Sequence, residues 1–314
     1  MDPELLTLLQ PLMAAAAELP APAVGDVATR RARAVPFFAL LAAGREPADG
    51  VEVTSHVVTT ADGAELPLNW YAPTGSTPTG AGALYLHGGG MIYSLAETAA
   101  MYDSAVRGYV AASGVPMLTV DYRVAPEHSH PTPVEDCYAA LCWLAEHAAS
   151  LGVDPARLAV AGSSAGAALA AGLAQRCAEG ELPPIVGVLL HQPVLDDRPT
   201  ASKAEFATTP GFDGAAAKLM WRHYLGDTAP DAASVPARNH RLIDTPTTFI
   251  TCSELDPLRD EAVDYARRLM RCGVRTDLHV FGGTCHGFDS LRPEWAVSRA
   301  LFTMQCAALG RFFA

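Results

Sequence analysis

The sequence predicts an α/β protein in which a mostly parallel central sheet is flanked by helices. Short β-type runs alternate with helical segments through most of the 314 residues, and strand–helix–strand units in series give parallel sheets. Apolar residues make up 50% of the chain, which is enough to bury a sizeable core. In such sheets, functional side chains gather at the carboxyl ends of the strands.

The predicted strands begin with an antiparallel pair at 51–58 and 64–72, because Asp62-Gly63 between them is a turn signal. The later strands are short and apolar, as is typical of strands buried on both faces. We predict them at 83–87, 116–121, 157–161, 185–191, 247–252 and 276–281. Helices are predicted at about 97–112, 134–149, 164–178, 258–272 and 293–312.

Two regions interrupt this alternation. Residues 1–50 are Ala-rich and largely helical ahead of the first strand, and residues 196–240 hold a helical stretch at about 213–225. We expect both regions to cover one end of the sheet. The predicted organisation is therefore a set of N-terminal cap helices at 1–50 and a main domain at 51–314, with a cap insertion at about 196–240.

Composition narrows the choice of partners and compartment. With 22 basic and 34 acidic residues the net charge is −12, which disfavours nucleic acid and anionic membranes as partners. The basic cluster Arg30-Arg31-Ala32-Arg33 is predicted to be a solvated helix face. The acidic start Met1-Asp2-Pro3-Glu4 is unlike a signal peptide, and no apolar run approaches the roughly 20 residues that span a bilayer. We expect a soluble cytoplasmic protein.

The seven cysteines signal neither a disulfide framework nor a zinc site. Their number is odd and no pair has CxxC spacing, so they are interpreted as free thiols in a reducing compartment. No metal or organic cofactor is expected. The cysteines are at positions 137, 142, 177, 252, 272, 285 and 306.

Gly162-Ser163-Ser164-Ala165-Gly166 directly follows the predicted strand 157–161 and opens an Ala-rich helix. In the G-x-S-x-G pattern the central serine lies on a strained strand-to-helix turn with its hydroxyl exposed. A tight turn of small residues is the simpler explanation, but the preceding strand favours a nucleophile. We predict Ser164 rather than Ser163, because only position 164 has a glycine two residues away on each side.

His87-Gly88-Gly89-Gly90 leaves the carboxyl end of the strand predicted at 83–87. Acyl transfer requires backbone N–H donors aimed at the oxygen of the tetrahedral intermediate, and glycines let the backbone approach closely. One donor is expected on the residue after the nucleophile, Ala165, and another on this type of loop. A flexible glycine turn is the alternative interpretation.

His286 is the predicted base, because it lies just past the last strand on a loop that can present its imidazole to Ser164. A lone histidine is more often structural, and nine others compete with it. Its loop position and its place in the chain order favour His286. The other histidines are at positions 56, 87, 128, 130, 147, 191, 223, 240 and 279.

Asp256 is the predicted acid of the same site. It follows the strand predicted at 247–252 and precedes Pro257, so it is also a good start for a helix. The chain order Ser…Asp…His of hydrolases on this type of sheet favours the catalytic role, and the two roles are compatible. Glu254 and Asp260 remain as alternatives.

The chain resembles the hormone-sensitive-lipase-like esterases, bacterial family IV of the α/β-hydrolase superfamily. The resemblance covers roughly residues 50–314 and consists of many segments in the same order. The matching segments are 87–90, 121–128, 135–137, 162–166, 195–198, 254–261 and 286–288.

The resemblance implies an α/β-hydrolase fold, carboxylesterase activity and a helical cap over the catalytic domain. It implies oxyanion donors on Gly89 and Gly90 together with Ala165, and it supports Asp256 and His286. Many relatives dimerise through the sheet edge at the last strand, which implies a possible homodimer through 276–281. The chain departs from the family at Ser163, where Asp or Thr is usual, at Ala167, where Gly is usual, and in the loop 91–94.

The predicted function is hydrolysis of short- to medium-chain acyl esters, with a small-molecule ester as the partner. Cap packing is an equally good explanation for each pocket candidate. The alternatives are a non-catalytic small-molecule receptor, which the retained His286 disfavours, and an amidase, thioesterase or acyltransferase with the same triad. The pocket candidates are Met91, Phe38, Phe212, Trp221 and Tyr224.

Overall fold

An eight-stranded sheet runs through the computed structural model, which describes residues 1–18, 23, 25–42, 47–75, 77–209 and 212–314. The strand order is β1-β2-β4-β3-β5-β6-β7-β8; β2 is antiparallel to both of its neighbours, and the other pairs are parallel. The strands are β1 (Val51–Thr59), β2 (Glu65–Pro73), β3 (Gly80–Leu86), β4 (Met117–Val120), β5 (Val153–Ser163), β6 (Gly187–His191), β7 (Thr247–Leu255) and β8 (Thr276–Cys285). The mostly parallel sheet predicted from the sequence is confirmed.

Helices cover both faces of the sheet, as the period-two alternation of β3 requires. Leu84 and Leu86 belong to one buried cluster, whereas Ala83 and Tyr85 belong to another on the opposite face. The helices are α1 (Pro3–Ala17), α2 (Val27–Ala42), α3 (Leu95–Ser113), α4 (Thr132–His147), α5 (Ala165–Ala178), α6 (Ala201–Glu205), α7 (Gly214–Leu225), α8 (Arg259–Arg271), α9 (Phe288–Leu291) and α10 (Ala296–Phe312).

The last two strands are longer than the sequence predicts. Their pairing shifts register between Ser253 and Leu255, where Leu255 pairs with Cys285. Because of this irregularity both strands continue beyond the apolar runs that define them in the sequence. Glu254 therefore lies in β7, and β8 ends directly before His286.

The two regions predicted to form the cap pack directly on the main domain. The Asp2 N–H donates to Gly283 O at 2.8 Å, and Leu5 and Leu9 pack with Phe288. That residues 1–50 and 196–240 form a separate cap stays a prediction, and residues 19–22, 24, 43–46 and 210–211 of these ranges lie outside the described residues.

The interpretation of residues 30–33 as a solvated face is wrong. The Arg31 guanidinium donates to Ile92 O at 2.7 Å and Ala125 O at 2.9 Å, and it forms a 2.8 Å ion pair with Glu127. Arg31 thus joins α2 to the loops after β3 and β4. None of the described helices is both long and apolar enough to cross a bilayer.

Candidate active site

Ser164 lies at the junction between β5 and α5 with φ 53° and ψ −115°. A non-glycine residue rarely adopts positive φ, and such strain persists only where its surroundings impose it. Here the Ser164 N–H donates to His191 O at 2.8 Å, and Ser164 O accepts from the Ala167 N–H at 3.1 Å. The turn therefore holds the Ser164 hydroxyl at the carboxyl end of the sheet.

The two glycines of the motif are required by the close approach of β5, α5 and β3. A Cβ on Gly166 would lie 2.2 Å from Leu86 O, and a Cβ on Gly162 would lie 2.4 Å from Gly166 O. Both obstacles are backbone atoms, which cannot rotate away as a side chain can. The G-x-S-x-G spacing is thus a packing requirement of this turn.

The predicted triad residues lie within hydrogen-bond distance of one another. His286 Nε2 is 3.0 Å from Ser164 Oγ, and His286 Nδ1 is 2.8 Å from Asp256 Oδ2. The Asp256 side chain is fully buried, and its Oδ1 accepts the Leu258 N–H at 2.9 Å just ahead of α8. The carboxylate is therefore fixed from two sides, once by the base and once by the turn that leads into a helix.

The alternative acids are engaged elsewhere. Glu254 Oε2 accepts the Gly283 N–H at 2.7 Å, which ties β7 to the irregular end of β8. Asp260 Oδ2 accepts the Ser202 N–H at 2.8 Å and so joins α8 to α6. Among the three acidic candidates, only Asp256 contacts His286 in the described structure.

The electrostatics favour a charged imidazole at position 286. Burial alone lowers the pKa of His286, but the charge and hydrogen bond of Asp256, with a further contribution from Asp289, raise it above its ordinary value. The Phe212 ring lies beside the imidazole with ring centroids 5.1 Å apart. An imidazolium formed during proton transfer is thus stabilised in a site partly closed to water.

The glycine loop presents backbone donors next to Ser164. The Gly88 N–H donates to the Tyr102 hydroxyl at 2.7 Å, whereas the N–H groups of Gly89 and Gly90 have no acceptor among the described residues. Gly89 has φ 133° and Gly90 has φ 58°, which other residues rarely adopt. Ala165 opens α5, where first-turn N–H groups have no partner within the helix. Three N–H groups are therefore available to an oxygen at this place.

His87 supports the glycine loop from the buried side. It is 1% exposed, and its Nδ1 is 2.7 Å from Gly88 O. Burial lowers the pKa of His87 to about 4. Its ring stacks on Tyr122 at 4.2 Å between centroids, and the Tyr122 hydroxyl donates to His87 O at 2.7 Å. We infer that this neutral histidine holds the shape of the loop.

Gln192 is a functional residue that the sequence reasoning missed. Its Oε1 accepts the Gly287 N–H at 2.6 Å, and its Nε2 donates to Ser253 Oγ at 3.1 Å. Ser253 Oγ in turn donates to Cys285 O at 3.0 Å. The residues on both sides of His286 are thus held by two buried side chains that are bonded to each other, Gly287 by Gln192 and Cys285 by Ser253. Its only signal in the sequence is a polar residue directly after an apolar strand.

Asp289 is a second residue that the sequence did not reveal. Its Oδ1 lies 3.2 Å from Nε2 of His191, whose Nδ1 is 2.8 Å from Thr251 Oγ1. Burial raises the pKa of Asp289. The interaction and hydrogen bond with His191 outweigh this effect, so the pKa lies below its ordinary value. A charged carboxylate is therefore stable near His286 without contacting it.

A cavity of about 980 Å³ opens onto Ser164 and His286. The glycine loop forms one wall, and α2 and α7 form others. Of the pocket candidates, Phe38 and Phe212 line this cavity. One face of α7 also lines it, through Ala216, Leu219, Met220 and His223, at the spacing expected for one side of a helix.

Three pocket candidates lie in the core instead of the cavity wall. Trp221 and Tyr224 are each 3% exposed and pack in the main core with Ala217, on a different side of α7 from the cavity face. Met91, which has φ 62° directly after the glycine loop, is 1% exposed in the same core. The prediction that these three line the pocket is therefore corrected, since their aromatic or thioether side chains complete the core.

The family model that matches the chain is the alpha/beta hydrolase fold, over residues 83–290. Esterase LipI from Mycobacterium tuberculosis is 38% identical over 209 residues, which are 65% of this chain and 64% of that protein. The chain thus spans just under two thirds of that relative. Ethyl acetate hydrolase from Pseudomonas putida is 36% identical over 242 residues, or 74% of each chain.

A solved structure extends the similarity to most of the chain. The crystal structure of esterase LipW from Mycobacterium marinum is 46% identical and superposes with a TM-score of 0.79. The match covers 92% of this chain and 88% of that one. The predicted α/β-hydrolase fold is confirmed by this likeness and by the family match.

Proposed function

We propose that this chain, which belongs to the alpha/beta hydrolase fold family, is an ester-hydrolysing enzyme of the hormone-sensitive-lipase-like type that works through an acyl-enzyme on Ser164. The observation that carries this proposal is the continuous chain of hydrogen bonds from Asp256 through His286 to Ser164. The three residues come from distant parts of the sequence, and they meet where the cavity opens.

In the proposed reaction, His286 Nε2 removes the hydroxyl proton as Ser164 Oγ attacks the acyl carbon. The oxyanion accepts hydrogen bonds from the N–H groups of Gly89, Gly90 and Ala165. His286 then gives its proton to the departing alcohol. In the second half of the reaction His286 removes a proton from the water molecule that attacks the acyl-enzyme, and it returns that proton to Ser164 Oγ as the acid leaves. Asp256 holds the imidazole in the productive tautomer and stabilises its charged form.

We propose short- to medium-chain acyl esters as the substrates. Phe38, Phe212 and Met220 bound the cavity near the triad, which supports a limit on acyl length. The relative from Pseudomonas putida is an ethyl acetate hydrolase, which supports a preference for small esters.

A panel of p-nitrophenyl esters with acyl chains of increasing length tests this function. We expect kcat/KM to be highest for a short or medium chain and to fall for the longest ones. A fluorophosphonate should label Ser164 alone, as identified by mass spectrometry of the peptides. Labelling of a different residue, or faster hydrolysis of emulsified long-chain triglycerides, would contradict the proposal.

The same panel separates the alternative functions. A receptor on this fold would bind esters without releasing a burst of p-nitrophenol. An amidase or thioesterase would accelerate cleavage of the matching anilide or thioester, relative to its uncatalysed rate, more than it accelerates cleavage of the p-nitrophenyl ester. An acyltransferase would pass the acyl group to an added alcohol in preference to water.

A homodimer through the sheet edge at β8 is a separate proposal. As the last strand in the sheet order, β8 has one unpaired edge in the described chain, and Val280 on it is 47% exposed. An open edge of this kind is a site for pairing with a second copy. Light scattering coupled to size-exclusion chromatography should give the mass of a dimer, and Val280→Lys should shift it toward the monomer.

A further inference from the structure

We propose that Arg30, Arg33 and His223 form a subsite for an anionic group, so that the preferred esters carry a carboxylate or a similar anion remote from the scissile bond. This inference rests on the proposed esterase function and specifies its substrate class. All three side chains line the same cavity as Ser164. They come from two elements, because Arg30 and Arg33 lie on α2 and His223 lies on α7.

The three arginines of α2 differ in their partners. Arg31 is occupied by Glu127 and two backbone carbonyls. Arg30 and Arg33 are three residues apart and so share one side of the helix. Within the described residues, neither of their guanidinium groups has an ion pair or a hydrogen bond. Among the described residues, these two cations of the cavity wall thus have no ion-pair partner.

Two polar atoms of this subsite are buried without a partner. Arg30 Nε and His223 Nε2 have essentially no exposed surface and no hydrogen-bond partner in the described structure. A buried N–H that lacks an acceptor is unfavourable. Eleven buried side-chain nitrogen or oxygen atoms of the described residues lack a partner, and these two bear on a ligand because their side chains also line the cavity. Burial lowers the pKa of His223, and the charges of Arg222 and Arg30 lower it further.

Two described carboxylates near α2, those of Asp26 and Glu97, are already engaged. Asp26 Oδ1 accepts the Thr29 N–H at 2.9 Å, and this bond is the main reason that the pKa of Asp26 is lowered, with smaller contributions from Arg33 and Arg30. Glu97 caps α3 through a 2.8 Å bond from the Ser94 N–H, and its other oxygen is 3.8 Å from Arg31. Neither carboxylate forms an ion pair with Arg30 or Arg33.

The rest of the cavity suits an apolar spacer between the anion and the ester. Phe37, Phe38, Leu219 and Met220 line it between α2 and α7. A guanidinium recognises a carboxylate through two parallel hydrogen bonds, and apolar walls strengthen such a pair. The chain as a whole carries a charge of −12, which repels anions, so selection of an anionic ester has to be local.

Matched pairs of esters test the subsite. On the acyl side, mono-p-nitrophenyl glutarate is compared with p-nitrophenyl valerate, and mono-p-nitrophenyl pimelate with p-nitrophenyl heptanoate. On the alcohol side, 4-acetoxybenzoate is compared with phenyl acetate. The measured quantity is the ratio of kcat/KM for the anionic ester to that for its neutral partner, which does not depend on the fraction of active enzyme.

We expect a ratio above one in at least one pair, and the pair that shows it identifies the side of the ester that carries the anion. Arg30→Met and Arg33→Met should each lower that ratio by about 10-fold or more, mainly through KM. Lys218→Met is the matched control, because Lys218 is exposed on α7 and does not line the cavity. It removes the same charge and should leave the ratio unchanged.

A second readout covers the case in which an arginine variant does not fold. Salt screens both the local ion pair and the long-range repulsion from the net charge of −12. A ratio that falls as the ionic strength is raised would therefore show that the local attraction dominates in the unmodified enzyme. Ratios below one in every pair, or ratios that Arg30→Met and Arg33→Met leave unchanged, would overturn the subsite. If no ester is hydrolysed at all, it is the esterase function that fails.

Discussion

The triad and the wall that α2 and α7 form in the same cavity differ in how completely their polar groups are paired. Asp256 is hydrogen-bonded to His286. On the two sides of His286 in the chain, Gln192 accepts the Gly287 N–H and Ser253 donates to Cys285 O. On the wall formed by α2 and α7, Arg30 and His223 have buried nitrogens without partners. The triad is thus held in place by the protein itself, whereas the wall of α2 and α7 is completed by the anion that binds there. Substitutions in the two regions should have correspondingly different effects.

The largest effect is expected at the nucleophile. Ser164→Ala should lower kcat by about 10⁴-fold or more, because the acyl-enzyme can no longer form. Circular dichroism and thermal unfolding should remain close to those of the unmodified protein. Ser163→Ala is the matched control one residue earlier, and it should cost less than about 10-fold. An equal loss in both variants would contradict the assignment of Ser164.

Gly166→Ala should disrupt the turn itself. The added Cβ would lie 2.2 Å from Leu86 O, so β3 or α5 has to move, at a cost of about 3 kcal/mol or more of unfolding free energy. Gly172→Ala in the same helix is the control. Its Cβ would meet Val134 at 4.0 Å, so it should be neutral or stabilise by up to about 1 kcal/mol. Urea unfolding measures both, and equal values would show that the motif is not a packing requirement.

Gln192→Met should affect the rate more than the binding of substrate. Without the acceptor for the Gly287 N–H, the loop that carries His286 loses one of its two anchors. We expect kcat to fall by about 10- to 100-fold with little change in KM, because misplacing the base slows proton transfer. Gln192→Glu keeps an acceptor and should recover part of the rate. A loss confined to KM would assign Gln192 to the pocket instead.

The smallest change is expected in the pH profile. His286 must be neutral to act as a base, and its pKa is raised, so kcat/KM should rise with pH through a limb that lies above the ordinary pKa of histidine. Asp289→Asn removes a charge that raises this pKa, although it contributes less than Asp256 does. The limb should therefore move to lower pH, with the maximum rate largely kept. A limb that stays in place would show that Asp289 acts only through His191.

Much of the fold and of the candidate site can be read from local patterns. The strand-to-helix turn at Ser164 and the loop at Gly88–Gly90 can be recognised in the sequence. In both, small residues follow an apolar strand directly, a pattern that indicates close approach of two backbone segments. The chain order Ser164, Asp256, His286 narrows the choice of residues for the acid and the base. The strand ends of β7 and β8 are less predictable, since the irregular pairing between Ser253 and Leu255 has no signature in apolar periodicity.

The pocket wall shows what local patterns leave open. Phe38 and Phe212 line the cavity, yet Met91, Trp221 and Tyr224 have the same apolar character and pack in the core. Successive residues of a helix point about 100° apart. One face of α7 therefore lines the cavity, and the adjacent face of the same helix packs in the core. Composition does not distinguish these faces, because both favour large apolar side chains.

By itself, the sequence determined the order of strands and helices, the strained serine turn, the glycine loop and the residues available for a triad. Each of these depends on neighbours in the chain, through backbone sterics and apolar periodicity. Tertiary structure alone decided that Gln192 anchors Gly287, that Asp289 lies 3.2 Å from His191, and that Arg30 and Arg33 line the cavity. These contacts join segments far apart in the chain, and they depend on how each helix is rotated against the sheet.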